Sequence, residues 1–303
     1  MNLTGCGTAL VTPFSAGGSF DEPAMRALVN WQIEADVDFL VPCGTTGEAS
    51  TLAEAEWLRV LQVVVDTAAG RVPIFAGCTH NATQEVTGRV RKLSQVPGLA
   101  GLLTANPYYN RPGQEGQYRH FRAIAEATDL PVLLYNIPSR TGANLEPETV
   151  LRLAELKNVI GIKESSGNLT QITQLLAHAP ADFRVFAGDD VLALPVLAVG
   201  GAGLISVASN VIPDQMGRMV RAALRNDWAE ARRINHTFFQ LMQAHFWEAS
   251  PAPVKAVLQM LGRGEDVLRL PMVPVSDGMR RRLQRIVDEL GLLAGARTMG
   301  KDA

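Results

Sequence analysis

A lysine that closes an apolar run is the first residue of this sequence with chemistry to offer. Lys163 follows Val159-Ile160-Gly161-Ile162, and continuous apolarity of that kind predicts a strand buried on both faces. An ammonium placed there faces a crowded interior, and desolvation favours the neutral amine. A neutral amine can attack a ketone. The resulting iminium draws electrons, so the adjacent methyl group loses a proton and becomes an enamine nucleophile. The competing reading is structural, an ion pair of Lys163 with Glu164 or another carboxylate.

Other polar residues also close apolar runs. Tyr135 ends Val132-Leu133-Leu134, where a phenol can relay protons or simply fill core with a hydrogen-bonded tip. Thr45 and Thr46 lie between Gly44 and Gly47, in a turn whose N–H and hydroxyl groups can hold a carboxylate. Arg140, in Pro138-Ser139-Arg140-Thr141-Gly142, offers a planar fork for a carboxylate. Position alone favours a solvated surface arginine. Gly188-Asp189-Asp190 closes a further run. Three tempting signals carry less. Gly200-Gly201-Ala202-Gly203 precedes its strand, on the wrong rim for a phosphate cradle. The five histidines show no metal-ligand spacing, and no metal site is expected. Cys43 has no histidine base nearby in sequence.

These residues need a scaffold that gathers strand ends at one mouth. Eight β-rich apolar runs recur, at Thr8–Phe14, Asp38–Gly44, Pro73–Cys78, Gly101–Pro107, Pro131–Asn136, Val159–Glu164, Phe183–Asp189 and Gly203–Ser209. Nearly every gap between them has helical periodicity. The alternation predicts an α/β fold, a (β/α)8 barrel of the TIM type, with its active site at the C-terminal ends of the strands. Helix starts are read at Asp21 with Pro23, at Thr51 with Glu54 as a capping box, at Asn81 with Gln84, and at Pro147. After about residue 210 the strand pattern stops. Helical segments near Asp227–Trp247, Ala252–Leu261 and Asp277–Leu290 predict a C-terminal helical extension, with Pro251-Ala252-Pro253 as a loop. The expected division is a barrel over 1–225 and an extension over 226–303.

Composition narrows the partners. The 303 residues are 47% apolar and 19% charged, an ordinary globular balance, and the net charge of −2 offers no basic field for a phosphate backbone. No nucleic acid is expected. No apolar run is long enough to span a bilayer and no leader pattern is seen, so no membrane partner is expected. Three widely spaced cysteines, Cys6, Cys43 and Cys78, fit a reducing cytoplasm better than a disulfide framework.

Several stretches together resemble one family. Gly44-Thr45-Thr46-Gly47-Glu48, Pro107-Tyr108-Tyr109-Asn110-Arg111-Pro112, Leu134-Tyr135-Asn136-Ile137-Pro138-Ser139-Arg140-Thr141-Gly142, Gly161-Ile162-Lys163-Glu164 and Gly188-Asp189-Asp190 look like the motifs of the 4-hydroxy-tetrahydrodipicolinate (dihydrodipicolinate) synthase family. That family sits within the pyruvate-dependent class I aldolase or N-acetylneuraminate lyase superfamily. The match is collinear over essentially the whole chain, and Pro251-Ala252-Pro253-Val254-Lys255 and Leu268-Arg269-Leu270-Pro271 extend it. The resemblance implies a lyase of lysine and diaminopimelate biosynthesis, in which pyruvate forms a Schiff base with Lys163 and adds to L-aspartate 4-semialdehyde. No cofactor is then needed beyond the covalent imine. It implies that Tyr135 moves protons with Thr46, that Tyr109 completes the relay from a neighbouring subunit, and hence a homotetramer built as a dimer of dimers. Thr45, Thr46, Ile205 and Gly188 would border the substrates, and Arg140 would hold the semialdehyde carboxylate. A lysine feedback site would use Ser50, Asn81, Glu85 and Tyr108, although Glu54 and Trp57 stand where inhibited members can have histidines. Asn106 and Ser250 also depart from the family pattern of threonine and asparagine. The nearest alternative is a sister lyase acting on N-acetylneuraminate or a keto-deoxy sugar acid. A non-catalytic sensor of small acids and a metal-dependent aldolase are the further readings.

Overall fold

The structure, a computed structural model, describes residues 3–93 and 96–293. Eight strands form one parallel sheet: β1 Gly5–Ala9, β2 Phe39–Val41, β3 Phe75–Gly77, β4 Gly101–Ala105, β5 Val132–Asn136, β6 Val159–Glu164, β7 Arg184–Ala187 and β8 Gly203–Ser206. Their order is β2-β1-β8-β7-β6-β5-β4-β3, and a parallel bridge from Leu40 to Ile74 joins the two ends. The sheet therefore closes into the expected barrel. Parallel neighbours require crossovers, and the intervening helices supply them while covering the outer face.

Two apolar clusters divide the work. Inside the barrel lie Ala9, Phe39, Val41, Phe75, Leu103, Leu133, Tyr135, Phe186 and Ile205, with Phe39 meeting Phe75 and Phe186 edge to face at 6.0 and 5.5 Å between centroids. The larger cluster fills the space between sheet and helices and continues through Phe238, Leu241, Val254, Val257, Leu283 and Ile286 of the C-terminal helices. Those helices, Trp228–Ala244, Ala252–Met260 and Asp277–Glu289, thus share the barrel's outer core.

The elements differ from the sequence reading in four places. The first strand is Gly5–Ala9 rather than Thr8–Phe14. Its glycines lower strand propensity but permit close packing, since a Cβ at Gly7 would lie 2.1 Å from the Phe39 ring. Thr51 is not a helix cap: its hydroxyl donates to the Glu48 carbonyl at 2.9 Å, and the Glu54–Ala68 helix starts from Ala53 without a side-chain cap. A helix over Pro213–Leu224 escaped notice, although Pro213 at its start and Met216, Met219, Val220 and Ala223 on one face carry its signal. Finally, Pro253 lies in the first turn of the Ala252–Met260 helix, not in a loop, because a missing N–H costs nothing there. Among the described residues no helix is long and apolar enough to cross a membrane.

Candidate active site

Tyr135 on β5 and Lys163 on β6 are direct register partners. Both are buried, and the Lys163 amine stands 4.5 Å from the centre of the Tyr135 ring. Alternation along each strand turns this pair toward the barrel interior and their successors, Asn136 and Glu164, toward the helices. Glu164 makes no pair with Lys163. It accepts from the Ser166 N–H at 2.6 Å, from Asn136 Nδ2 at 3.0 Å and from Gln171 Nε2 at 3.2 Å. Room for the lysine depends on Gly188, just past β7: a Cβ there would lie 2.9 Å from Lys163 Cε and 1.9 Å from Ser165 Oγ.

Gly188, the residue packed against Lys163, borders a cavity of about 500 Å3 lined in part also by Arg140, Ser165, Asp189 and Ser250. Arg140 rides on a single helical turn, Pro138–Thr141, which starts on proline and stops on Gly142 in the left-handed region. Its Nη2 donates to the Ser250 carbonyl at 3.3 Å. Burial raises the pKa of the Asp189 carboxyl, opposed by the Val191 N–H and by Lys163. Asp190 turns away: burial pushes its carboxyl up to about 6, while Ser206 Oγ at 2.5 Å and the N–H groups of Val207 and Ala208 tie it to the end of β8.

The Gly44–Glu48 turn follows β2. Thr46 is buried and Thr45 exposed. Thr12, which the sequence reading passed over, donates from Oγ1 to the Gly47 carbonyl at 2.7 Å and fixes the turn. Cys43 takes a φ of 57°, and its carbonyl would collide with any Cβ at Gly77, 2.2 Å away. Burial raises the Cys43 thiol well above its ordinary range, which disfavours the thiolate that a nucleophile needs. Glu48, left-handed at φ 53°, ends the turn in a buried ion pair with Lys255.

Tyr109 stands apart from this chain's own site. It is 86% exposed and held at φ 80°, a strained conformation for an aromatic residue, where its N–H donates to the Thr141 carbonyl at 3.3 Å. Tyr108 packs edge to face on His80 at 6.4 Å. Ser50 and Glu85 are exposed and Asn81 is half-buried. Of the two departures near them, Trp57 is buried and donates Nε1 to the Gly77 carbonyl at 3.1 Å, whereas Glu54 pairs with Lys92. Another part of the cavity wall, Phe246 to Ser250, comes from the segment that links the Trp228–Ala244 and Ala252–Met260 helices and was not anticipated. Ile205 is buried in the same interior cluster as Tyr135. Among the described residues no group of three or more His, Cys, Asp or Glu is placed to hold a metal ion.

A closed parallel barrel with polar residues gathered at the C-terminal ends of its strands, a buried lysine beside a tyrosine ring among them, has the architecture of the (β/α)8 barrel enzymes. The sequence model of the dihydrodipicolinate synthetase family matches residues 2–290, and the chain belongs to that family. It is 60% identical over 294 residues to the 4-hydroxy-tetrahydrodipicolinate synthase of Acidobacterium capsulatum, covering 97% of each chain. The chloride-inhibited dihydrodipicolinate synthase of Acinetobacter baumannii, solved with pyruvate, superposes with a TM-score of 0.93 at 36% identity, covering 95% of this chain and 99% of that one. The lysine-bound enzyme of Cyanidioschyzon merolae gives a TM-score of 0.93 at 39% identity, over 96% and 99%.

Proposed function

We propose that the chain condenses pyruvate with L-aspartate 4-semialdehyde to give 4-hydroxy-tetrahydrodipicolinate, a step toward diaminopimelate and lysine, through a Schiff base on Lys163. The observation that carries this reading is the register pair Tyr135 and Lys163, buried together with the amine 4.5 Å from the centre of the ring. The amine adds to the pyruvate ketone and water leaves as the iminium forms. Loss of a methyl proton gives the enamine, whose carbon attacks the aldehyde. The substrate's own amine then closes the ring and displaces Lys163, which returns to its starting state without any cofactor. Tyr135 relays the protons of carbinolamine formation and loss, with Thr46 behind it.

Arg140, at the cavity wall, holds the semialdehyde carboxylate in its fork, while Thr45, Thr46, Ile205 and Gly188 border the two substrates. Tyr109, which projects into solvent, reaches the site of a second copy. That arrangement calls for a dimer at least, and a homotetramer as a pair of such dimers, working in the cytoplasm. The name of the Acidobacterium relative favours the small amino-acid aldehyde over the polyhydroxylated aldehydes of sugar-acid lyases. A lysine site near Ser50, Asn81, Glu85 and Tyr108 would draw nothing from Trp57, which is turned inward, or from Glu54, which is taken by Lys92.

Treatment with pyruvate and borohydride tests the reading. Reduction of the imine is expected to inactivate the protein irreversibly and to add mass to the peptide carrying Lys163. Absence of an adduct, or an adduct on another lysine, rejects the Schiff base.

A further inference from the structure

One residue beyond Tyr135 and Lys163, the barrel presents a second, outward pair. Asn136 and Glu164 are also register partners, and Glu164 is buried with donors around both oxygens. Burial pushes its carboxyl up, and the hydrogen bonds from Ser166, Asn136 and Gln171 hold it down.

An ionised carboxylate only accepts, so it dictates which end each neighbouring amide presents. Asn136 turns Nδ2 toward Glu164, which leaves its Oδ1 for the Leu145 N–H at 2.9 Å and Asn106 Nδ2 at 3.4 Å. Asn106 Nδ2 also donates to the Ala143 carbonyl and to Gln117 Oε1, each at 2.9 Å. Gln117, its oxygen taken, turns Nε2 to the Asn144 carbonyl at 3.0 Å and the Pro112 carbonyl at 3.1 Å. Gln171 donates Nε2 to Glu164 and, at 3.4 Å, to the Leu145 carbonyl. Three successive carbonyls, of Ala143, Asn144 and Leu145, are thus gripped by amides from different parts of the barrel wall. This segment continues directly from the helical turn that carries Arg140, and the Thr141 carbonyl of that turn receives the Tyr109 N–H.

We propose that Glu164 is a positioning residue, whose carboxylate sets the donor and acceptor polarity of a buried amide chain that fixes the Arg140 segment relative to Lys163. The inference rests on the reading that Arg140 holds the carboxylate of the second substrate. Glu164→Gln keeps the shape but puts an NH2 group among donors. Losing hydrogen bonds to a charged group is expected to raise the KM for aspartate semialdehyde about tenfold or more, while trapping of pyruvate at Lys163 changes by less than about threefold. A general loss of structure would lower both steps together. In an Arg140→Ala background Glu164→Gln is expected to add less than about twofold, because the two act through one group.

Hydrogen exchange on the free protein supplies a readout that needs no substrate. Amides of residues 139–145 are expected to exchange about tenfold faster in Glu164→Gln, with those of 101–105 unchanged. Unaltered exchange in 139–145, or effects of Glu164→Gln and Arg140→Ala that simply multiply, overturns the proposal. An Arg140→Ala protein with an unchanged semialdehyde KM overturns the clamp reading instead, so the two failures are separable. Should Glu164→Gln not fold, Gln117→Ala breaks the same chain from the helix side and is expected to give the same split between the substrates.

Discussion

Lys163 and Lys255 are both buried, 5% and 1% exposed, and they meet that condition in opposite ways. Lys255, in the Ala252–Met260 helix, pairs with Glu48, donates to the Val267 carbonyl at 2.8 Å and lies 4.2 Å from the centre of the Phe14 ring. Burial pushes its ammonium below the ordinary range and Glu48 pulls it back. Lys163 has the ring of Tyr135 beside it and forms no ion pair among the described residues. What separates the two is an anion committed to Lys255, whereas Lys163, the proposed imine lysine, packs against Gly188 at the cavity wall. The structural reading entertained for Lys163 describes Lys255 instead. Its pair latches the C-terminal helices onto the Gly44–Glu48 turn, and the Arg269 N–H adds a second tie to Glu48 at 3.2 Å.

The sharpest way to break the contrast is to remove each amine. Lys163→Ala is expected to abolish the borohydride adduct and lower turnover by on the order of 10^3-fold or more, with the circular dichroism spectrum unchanged. An adduct that survives would move the chemistry to a different lysine. Lys255→Met should do the reverse. It leaves Glu48 buried without its partner, at a cost of about 3–5 kcal/mol, read from the urea midpoint, while the folded fraction still forms its adduct at Lys163. Adding Glu48→Gln is expected to restore most of the loss. A cost below about 1 kcal/mol, typical of an exposed pair, would show that the latch lies elsewhere.

Sequence patterns revealed one of these lysines and not the other, for a physical reason. Lys163 interrupts a continuous apolar run, and Tyr135 does the same one strand earlier, so a local signal marks each. The eight-fold alternation is local too, which is why the barrel is legible in the sequence. Glu48 and Lys255 lie 207 residues apart, and nothing in the neighbourhood of either announces the other. The amide chain around Asn106, Asn136 and Glu164 is hidden for the same reason. Asn106 reads as a departure from a family pattern remote from the chemistry, yet it grips the segment behind Arg140. The first strand was misplaced because its glycines serve contacts with Asp38 and Phe39 that no window of sequence contains. Arg140 is exposed, as its position alone predicted, and what its neighbourhood in sequence could not show is that the Phe246–Ser250 segment borders the same cavity.

A third buried base extends the comparison and predicts its smallest effect. His245, just past the Trp228–Ala244 helix, is wholly buried and neither ring nitrogen has a hydrogen-bond partner. Burial lowers its pKa from 6.5 to about 3, so it stays neutral where Lys255 is paired. Between those values the unfolded chain takes up a proton that the folded chain refuses. Stability from this group is therefore complete above pH 6.5 and falls as the pH drops toward 3, by up to about 1.4 kcal/mol per unit. His245→Leu, apolar and of similar size, removes that slope. Relative to the parent its urea midpoint should rise steadily from pH 7 to pH 5, which isolates the histidine from carboxylates that titrate in both proteins. A difference between the two proteins that is the same at both pH values would mean that His245 gains its proton equally in the folded and unfolded chains. Its neutrality would then not be a consequence of burial, and only the two lysines would remain as contrasting solutions.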